Sequence, residues 1–148
     1  MVSLRQFTDR DAAVIREKQM PDASIEEISR MIRDWQSNRY QGKHFEMLAL
    51  TTDDAVVGCI SLCGHTDKIV SLGAEVFFDE RGKGYAAEGM RAAIERAGMQ
   101  GYRIIQDQVR TDNAASRALH EKLGFETDGY VYTNAKGRNV LIYLLCLP

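Results

Sequence analysis

Apolar and polar positions alternate from the first residues. Val2 and Leu4 fall on one side and Ser3 and Arg5 on the other, which predicts a strand over residues 2–7. Thr8 then stands where it can cap a helix over 9–19, with Asp9 and Asp11 in the first turn where the helix dipole favours them. Ser24 followed by Glu27 is a capping box. Ile25, Ile28, Ile32 and Trp35 recur behind it at helical spacing. Residues 38–43 are polar and read as a loop. The pattern then changes to strands over 44–51, 55–64 and 68–78, the first two joined at Asp53-Asp54. A helix over 82–98 carries an apolar stripe of Ala86, Met90, Ala93 and Ala97, small enough to lie close on a sheet. An Ile- and Val-rich strand covers 102–110. A short helix over 113–123 is capped by Asp112 and stopped by Gly124. Strands over 125–132 and 140–147 flank the turn Asn134-Ala135-Lys136-Gly137.

The predicted order is β-α-α-β-β-β-α-β-α-β-β. The early hairpins require antiparallel pairing. The strand–helix–strand unit from 68 to 109 requires a parallel pair with a right-handed crossover. The expected fold is therefore α/β of the mixed α+β kind: a twisted mixed sheet of about seven strands flanked by about four helices.

Length and composition narrow the field. At 148 residues, 1–148 reads as a single domain. Hydrophobic residues make up 45% and charged residues 27%, which excludes a disordered chain. Lys plus Arg is 19 against 21 for Asp plus Glu, a net charge of −2 that argues against a nucleic-acid partner. No apolar run approaches the length of a membrane span, and no secretory leader is visible. Cys59, Cys63 and Cys146 are an odd number and read as reduced thiols in a cytoplasmic protein. Cys59 and Cys63 are four apart on one strand face. They read as core thiols, and no metal site is expected.

The chemistry concentrates in Asp79-Glu80-Arg81-Gly82-Lys83-Gly84-Tyr85-Ala86, between a strand and a helix. Gly82 and Gly84 permit backbone conformations closed to other residues and let a ligand approach the main chain. The unpaired N–H groups of the first helical turn favour an anion, and Arg81 and Lys83 add cations. These are the features of a pyrophosphate-binding loop. The dinucleotide pattern G-x-G-x-x-A also fits from Gly82 to Ala87, with Asp107 near the ribose-binding spacing. However, the loop follows hairpins, and Asp107 falls inside a strand.

Two motifs carry a resemblance. Arg81, Gly84 and Ala86 occupy the fixed positions of Gln/Arg-x-x-Gly-x-Gly/Ala. Asn113, Ser116, Gly124 and Phe125 match a second signature downstream. With the order of elements, they make the chain resemble the GNAT superfamily of acyl-CoA-dependent N-acetyltransferases over nearly its whole length. The resemblance implies acetyl-CoA as cosubstrate, with its pyrophosphate on Arg81, Gly82, Lys83, Gly84, Tyr85, Ala86 and Ala87. It implies a pantetheine arm paired along Val76 and Phe78 and touched by Asn113 and Ser116, and an oxyanion held by the Val76 N–H. Glu75 is the carboxylate nearest the reactive strand and stands either as general base or as an ordinary strand residue. Where many members carry a Tyr acid, this chain has His120; Tyr130, Tyr132 or water are alternative proton donors. The acceptor side would be formed by the early helices, with Arg30, Arg33, Trp35, Arg39 and Tyr40, and by the last hairpin. The segment from Gly84 to Glu88 resembles the branch that acetylates protein N-termini and related small amines. The implied activity is acetyl transfer to a primary amine by direct attack in a ternary complex. A non-catalytic acyl-CoA-binding module and a nucleotide-binding module remain alternatives, and an edge-strand homodimer is compatible with the fold.

Overall fold

The computed structural model describes residues 1–148. Its sheet is ordered β1-β3-β4-β5-β6-β9-β7. The strands on this path are β1 (Ser3–Gln6), β3 (Lys43–Thr52), β4 (Ala55–Gly64), β5 (Ile69–Val76), β6 (Ile104–Arg110), β7 (Glu126–Thr127) and β9 (Asn139–Cys146). Two short strands, β2 (Arg39–Tyr40) and β8 (Tyr132–Thr133), pair with β3 and β9. Every pairing is antiparallel except β5 with β6, joined through α3 (Tyr85–Met99).

The sheet separates two cores. On one face α3 and α4 (Ala114–Lys122) cover the larger cluster, which includes Leu48, Ile60, Leu62, Val70, Met90, Ile105 and Tyr143. On the other, α1 (Ala12–Lys18) and α2 (Ile25–Gln36) cover Phe7, Ile15, Ile28, Ile32 and Ala49. The apolar stripes of α2 and α3 therefore pack where their spacing requires. Gly89 lets α3 approach closely: a Cβ there would stand 3.0 Å from the Ile60 and Leu50 side chains. No helix is long and apolar enough to cross a membrane.

Several expected boundaries move for local reasons. The strand expected over 125–132 breaks into β7 and β8, because the Asp128 carboxylate accepts the Tyr130 N–H at 2.9 Å and Gly129 turns at φ +79°. Residues 38–43, read as a loop, contain β2. The strand expected to 78 ends at Val76, and Phe78–Glu80 form a single 3₁₀ turn. The helix expected from 82 begins at Tyr85, because Gly82 and Gly84 both have positive φ. The first helix opens with a 3₁₀ turn at Asp9–Asp11, where the Asp11 carboxylate accepts the Thr8 N–H at 2.9 Å. Cys59 and Cys63, expected in the core, are half-buried, and Cys146 is exposed.

Candidate active site

The site begins where the sheet opens. β5 and β6 pair only at Ile69–Ile104 and Val70–Ile105. Beyond Val70 the ladder gives way to side-chain bridges. The Ser71 hydroxyl donates to the Gln106 carbonyl, and the Leu72 N–H donates to Asp107 Oδ1 at 2.8 Å. Past these the strands separate.

The pleat determines which backbone groups face the opening. The Leu72 N–H points to β6, whereas the Phe77 N–H donates across to the Val57 carbonyl on β4 at 2.9 Å. Alternation along an extended strand then aims the N–H groups of Ala74 and Val76 into the gap. The Val76 carbonyl, on the same edge, accepts from Arg81 Nε at 3.2 Å. Two main-chain donors on a rigid strand thus face a space without a partner strand. Donors without a protein partner are left to an acceptor from ligand or water.

The gap runs on to the bare end of α3. Gly84 is its N-cap at φ +84°, with no side-chain cap, and the first return bond is Glu88 N–H to the Gly84 carbonyl at 3.2 Å. The N–H groups of Tyr85, Ala86 and Ala87 therefore lack intrahelical partners at the positive end of the helix dipole. A Cβ on Gly82 or Gly84 would meet nothing within 4 Å. Backbone conformation and open space for a ligand, not crowding, account for these glycines.

The loop's carboxylates are already neutralised. Asp79 pairs with Lys18, which holds its carboxyl below the usual range, and Glu80 pairs with Lys83 at 2.9 Å. Arg81 pairs with no carboxylate; its guanidinium carbon lies 5.4 Å from the centre of the exposed Phe78 ring. Lys122, on α4, lines the same cleft without an ion-pair partner. The opposite wall is the α4 face that presents Ala115, Ser116, Ala118 and Leu119. The whole cleft encloses about 610 Å³.

The residues singled out in the sequence divide accordingly. Glu75, Val76, Arg81, Gly82, Gly84, Tyr85, Ala86, Ala87, Asn113 and Ser116 all line this cleft. Phe78 and Lys83 do not; their side chains stand outside it. Asn113 also caps α4, its Oδ1 accepting the Ser116 N–H at 3.0 Å, which leaves its amide Nδ2 free to donate to a ligand. Glu75 is exposed at the rim, directly across from Cys59. Burial first, and the Glu75 charge second, push the Cys59 thiol up to about 11, so it is a protonated and unreactive neighbour. Tyr130 and Tyr132 lie elsewhere. The Tyr132 hydroxyl donates to Asp128 at 2.9 Å beside a separate hollow over β7 and β9.

A second cavity, of about 450 Å³, adjoins the first at Ala74, Ser116 and Leu119 and reaches Leu72, Gln106, Asp107 and His120. His120 is buried, with Nε2 2.8 Å from Asp107 Oδ2 and Nδ1 2.8 Å from the Ser116 carbonyl. Burial alone would lower its pKa. The Asp107 and Ser116 bonds outweigh that effect and raise it, which favours the imidazolium, the form that can donate to both acceptors.

Among the lining residues that escaped the sequence reading, Lys122 and Ala74 matter most for the chemistry. Lys122 follows Ala115, Ala118 and Leu119 at helical spacing, a signal available once α4 is drawn. Ala74 carries no side-chain chemistry; only its backbone direction and its place between the two cavities distinguish it.

Known proteins resemble this architecture. Over 51 residues the chain is 45% identical to an L-methionine sulfoximine/L-methionine sulfone acetyltransferase of Pseudomonas aeruginosa, a stretch covering 34% of this chain and 30% of that protein. The chain thus matches less than a third of that relative's length. RimJ of Mycobacterium smegmatis, solved with CoA-disulfide, superposes with a TM-score of 0.84 at 17% identity, covering 98% of this chain and 81% of that one. An acetyltransferase of Salmonella typhimurium that modifies the N-terminal serine of ribosomal protein L7/L12 superposes with a TM-score of 0.83 at 16% identity, covering 99% and 95%. At such identities these two structures speak for the fold. A family model of the acetyltransferase (GNAT) domain matches residues 2–126, most of the chain, and by that match the protein belongs to the GNAT acetyltransferase family.

Proposed function

We propose that this protein transfers the acetyl group of acetyl-CoA to a primary amine by direct attack in a ternary complex. The observation that carries the reading is the fork between β5 and β6, whose inward N–H groups lead straight to the uncapped N-terminus of α3. One edge suits a chain of amides and a thioester. The other suits a pyrophosphate, with Arg81 and Lys122 supplying the free cations.

In this reading the amine nitrogen attacks the thioester carbonyl carbon. The developing oxyanion is held by the N–H of Val76 or of Ala74, which stands at the junction of the two cavities. The carbon–sulfur bond then breaks, the CoA thiolate departs, and the nitrogen loses a proton. In this reading Glu75, exposed at the rim, takes that proton, directly or through water. The thiolate needs little help to leave, because a thiol titrates near 8.5, close to neutral pH. Water supplies its proton.

The relatives widen the choice of acceptor, from a small amino-acid analogue to a protein N-terminus. The three unpaired cysteines suit a reducing compartment, and the net charge of −2 suits no polyanionic partner. The test is release of CoA thiol from acetyl-CoA across a panel of peptides with free N-termini, polyamines and methionine sulfone. Turnover of at least one amine is expected. Stabilisation by acetyl-CoA with no turnover of any amine would replace the enzyme by a binding module, and stabilisation by ATP or NAD alone would overturn the reading.

A further inference from the structure

The vertex of the fork is made by one carboxylate. Asp107 Oδ1 accepts the Leu72 N–H of β5, and Oδ2 faces His120 Nε2 of α4, each at 2.8 Å. Where the ladder ends, Asp107 therefore substitutes a side-chain bridge for the next backbone rung. A backbone rung holds strands about 4.8 Å apart; a carboxylate interposed between them holds them wider, and the splay starts there. The same carboxylate reaches α4, whose carbonyl at Ser116 receives the other imidazole N–H at 2.8 Å. Leu72 lies two residues before Ala74 on the donor edge. Ser116 lines the opposite wall. Both walls of the cleft are thus fastened to one ion pair.

We propose that Asp107 and His120 are positioning residues that hold the β5 and α4 walls at their working separation, and that His120 acts through Asp107 and Ser116 instead of donating a proton to the reacting sulfur. The inference rests on the acetyltransferase reading of the cleft. Geometry carries it: both ring nitrogens are committed inside the protein, so neither N–H is directed at a ligand. β6 presents Asp107, β9 presents the Tyr143 ring with centroids 5.4 Å apart, and the turn after α4 presents Phe125 at 4.7 Å. Met90 of α3 and His65 line the same cavity farther round. A neutral ring would have one N–H for two acceptors, so deprotonation breaks one of the two fastenings.

The test compares Asp107→Ala, His120→Ala, their double variant and Asp107→Asn, with acetyl-CoA affinity read by calorimetry and folding checked by circular dichroism. Each alanine variant is expected to weaken acetyl-CoA binding by about 5- to 10-fold. The double variant should lose no more than either single, and Asp107→Asn, which keeps the Leu72 acceptor, should recover most of the affinity. Wild-type affinity should fall as pH rises through the His120 titration. Affinity unchanged within about twofold in both alanine variants, with only turnover reduced in His120→Ala, would make His120 the acid and overturn the proposal. Should the alanine variants not fold, nitrogen-detected NMR on the unmodified protein decides. Two slowly exchanging ring N–H signals persisting above ordinary histidine values support the pair. Titration near 6.5 with a solvent-exchanging Nε2–H overturns it. If the wild-type protein binds no acetyl-CoA, the functional reading itself falls; binding that the variants do not alter removes the positioning role alone.

Discussion

Gly84 ends the loop in the left-handed region at φ +84°, beside a cleft where its missing side chain leaves open space. Any L-residue there is strained by about 1–2 kcal/mol, but only a charged one would confront a phosphate. Gly84→Ala should therefore lower stability by roughly that amount and keep measurable acetyl-CoA binding. Gly84→Glu should bear the same strain and abolish binding. Thermal unfolding and calorimetry on the pair separate the two effects, and comparable acetyl-CoA affinity in both variants would move the phosphates away from this loop. At this scale the sequence was readable where function leaves a chemical mark on a side chain or a glycine. Arg81, Gly82, Gly84 and Asn113, singled out in the sequence, all line the cleft. His120 shows the limit. Its position along α4 was legible, but its commitment to Asp107 depends on a contact across 13 residues that no local pattern encodes.

The fork is a property of elements, since it exists because β5 has a partner at one end and none at the other. A strand edge without a partner exchanges its amides with solvent far faster than a laddered one. The N–H groups of Ala74 and Val76 should exchange quickly in the free protein, whereas that of Ser71, directed at β4, should be protected. Acetyl-CoA should slow Ala74 and Val76 selectively. Residue-resolved hydrogen exchange with and without the ligand checks this. Equal protection at all three positions before ligand is added would mean that the gap is closed in solution. Sequence periodicity placed β5 and its crossover helix to within three residues at each end but gave no sign of the splay. Alternation reports which face a side chain takes, not whether the neighbouring strand stays within bonding distance. The break at Asp128-Gly129 was missed for a related reason: one turn with a positive φ interrupts a run of β-favouring residues without changing their composition.

Over the whole molecule, charge ties the layers that apolar contact packs. Glu46 on β3 is buried, and its carboxylate accepts from Arg96 Nε at 3.1 Å and Gln100 Nε2 at 2.8 Å, both from the end of α3, with His44 Nε2 at 3.1 Å. Burial pushes the Glu46 carboxyl up, but these donors outweigh it and hold it below the usual range. Asp11 follows the same balance, burial opposed by Arg5 and the Thr8 N–H, and is also lowered. A carboxyl lowered by folding contributes stability that is complete above its unfolded value, about 4, and is lost as pH falls through the folded one. The protein should thus lose stability on acidification, with Glu46 responsible for part of the slope. Glu46→Gln should cost roughly 1.5–3 kcal/mol at about pH 7, because Arg96 and Gln100 lose a charged acceptor. The gap to wild type should narrow as pH drops below the carboxylate range, where Glu46 is itself neutral. Urea unfolding of both proteins across that range measures the gap directly. A gap independent of pH would assign the loss to packing and leave the clasp between β3 and α3 without an electrostatic part.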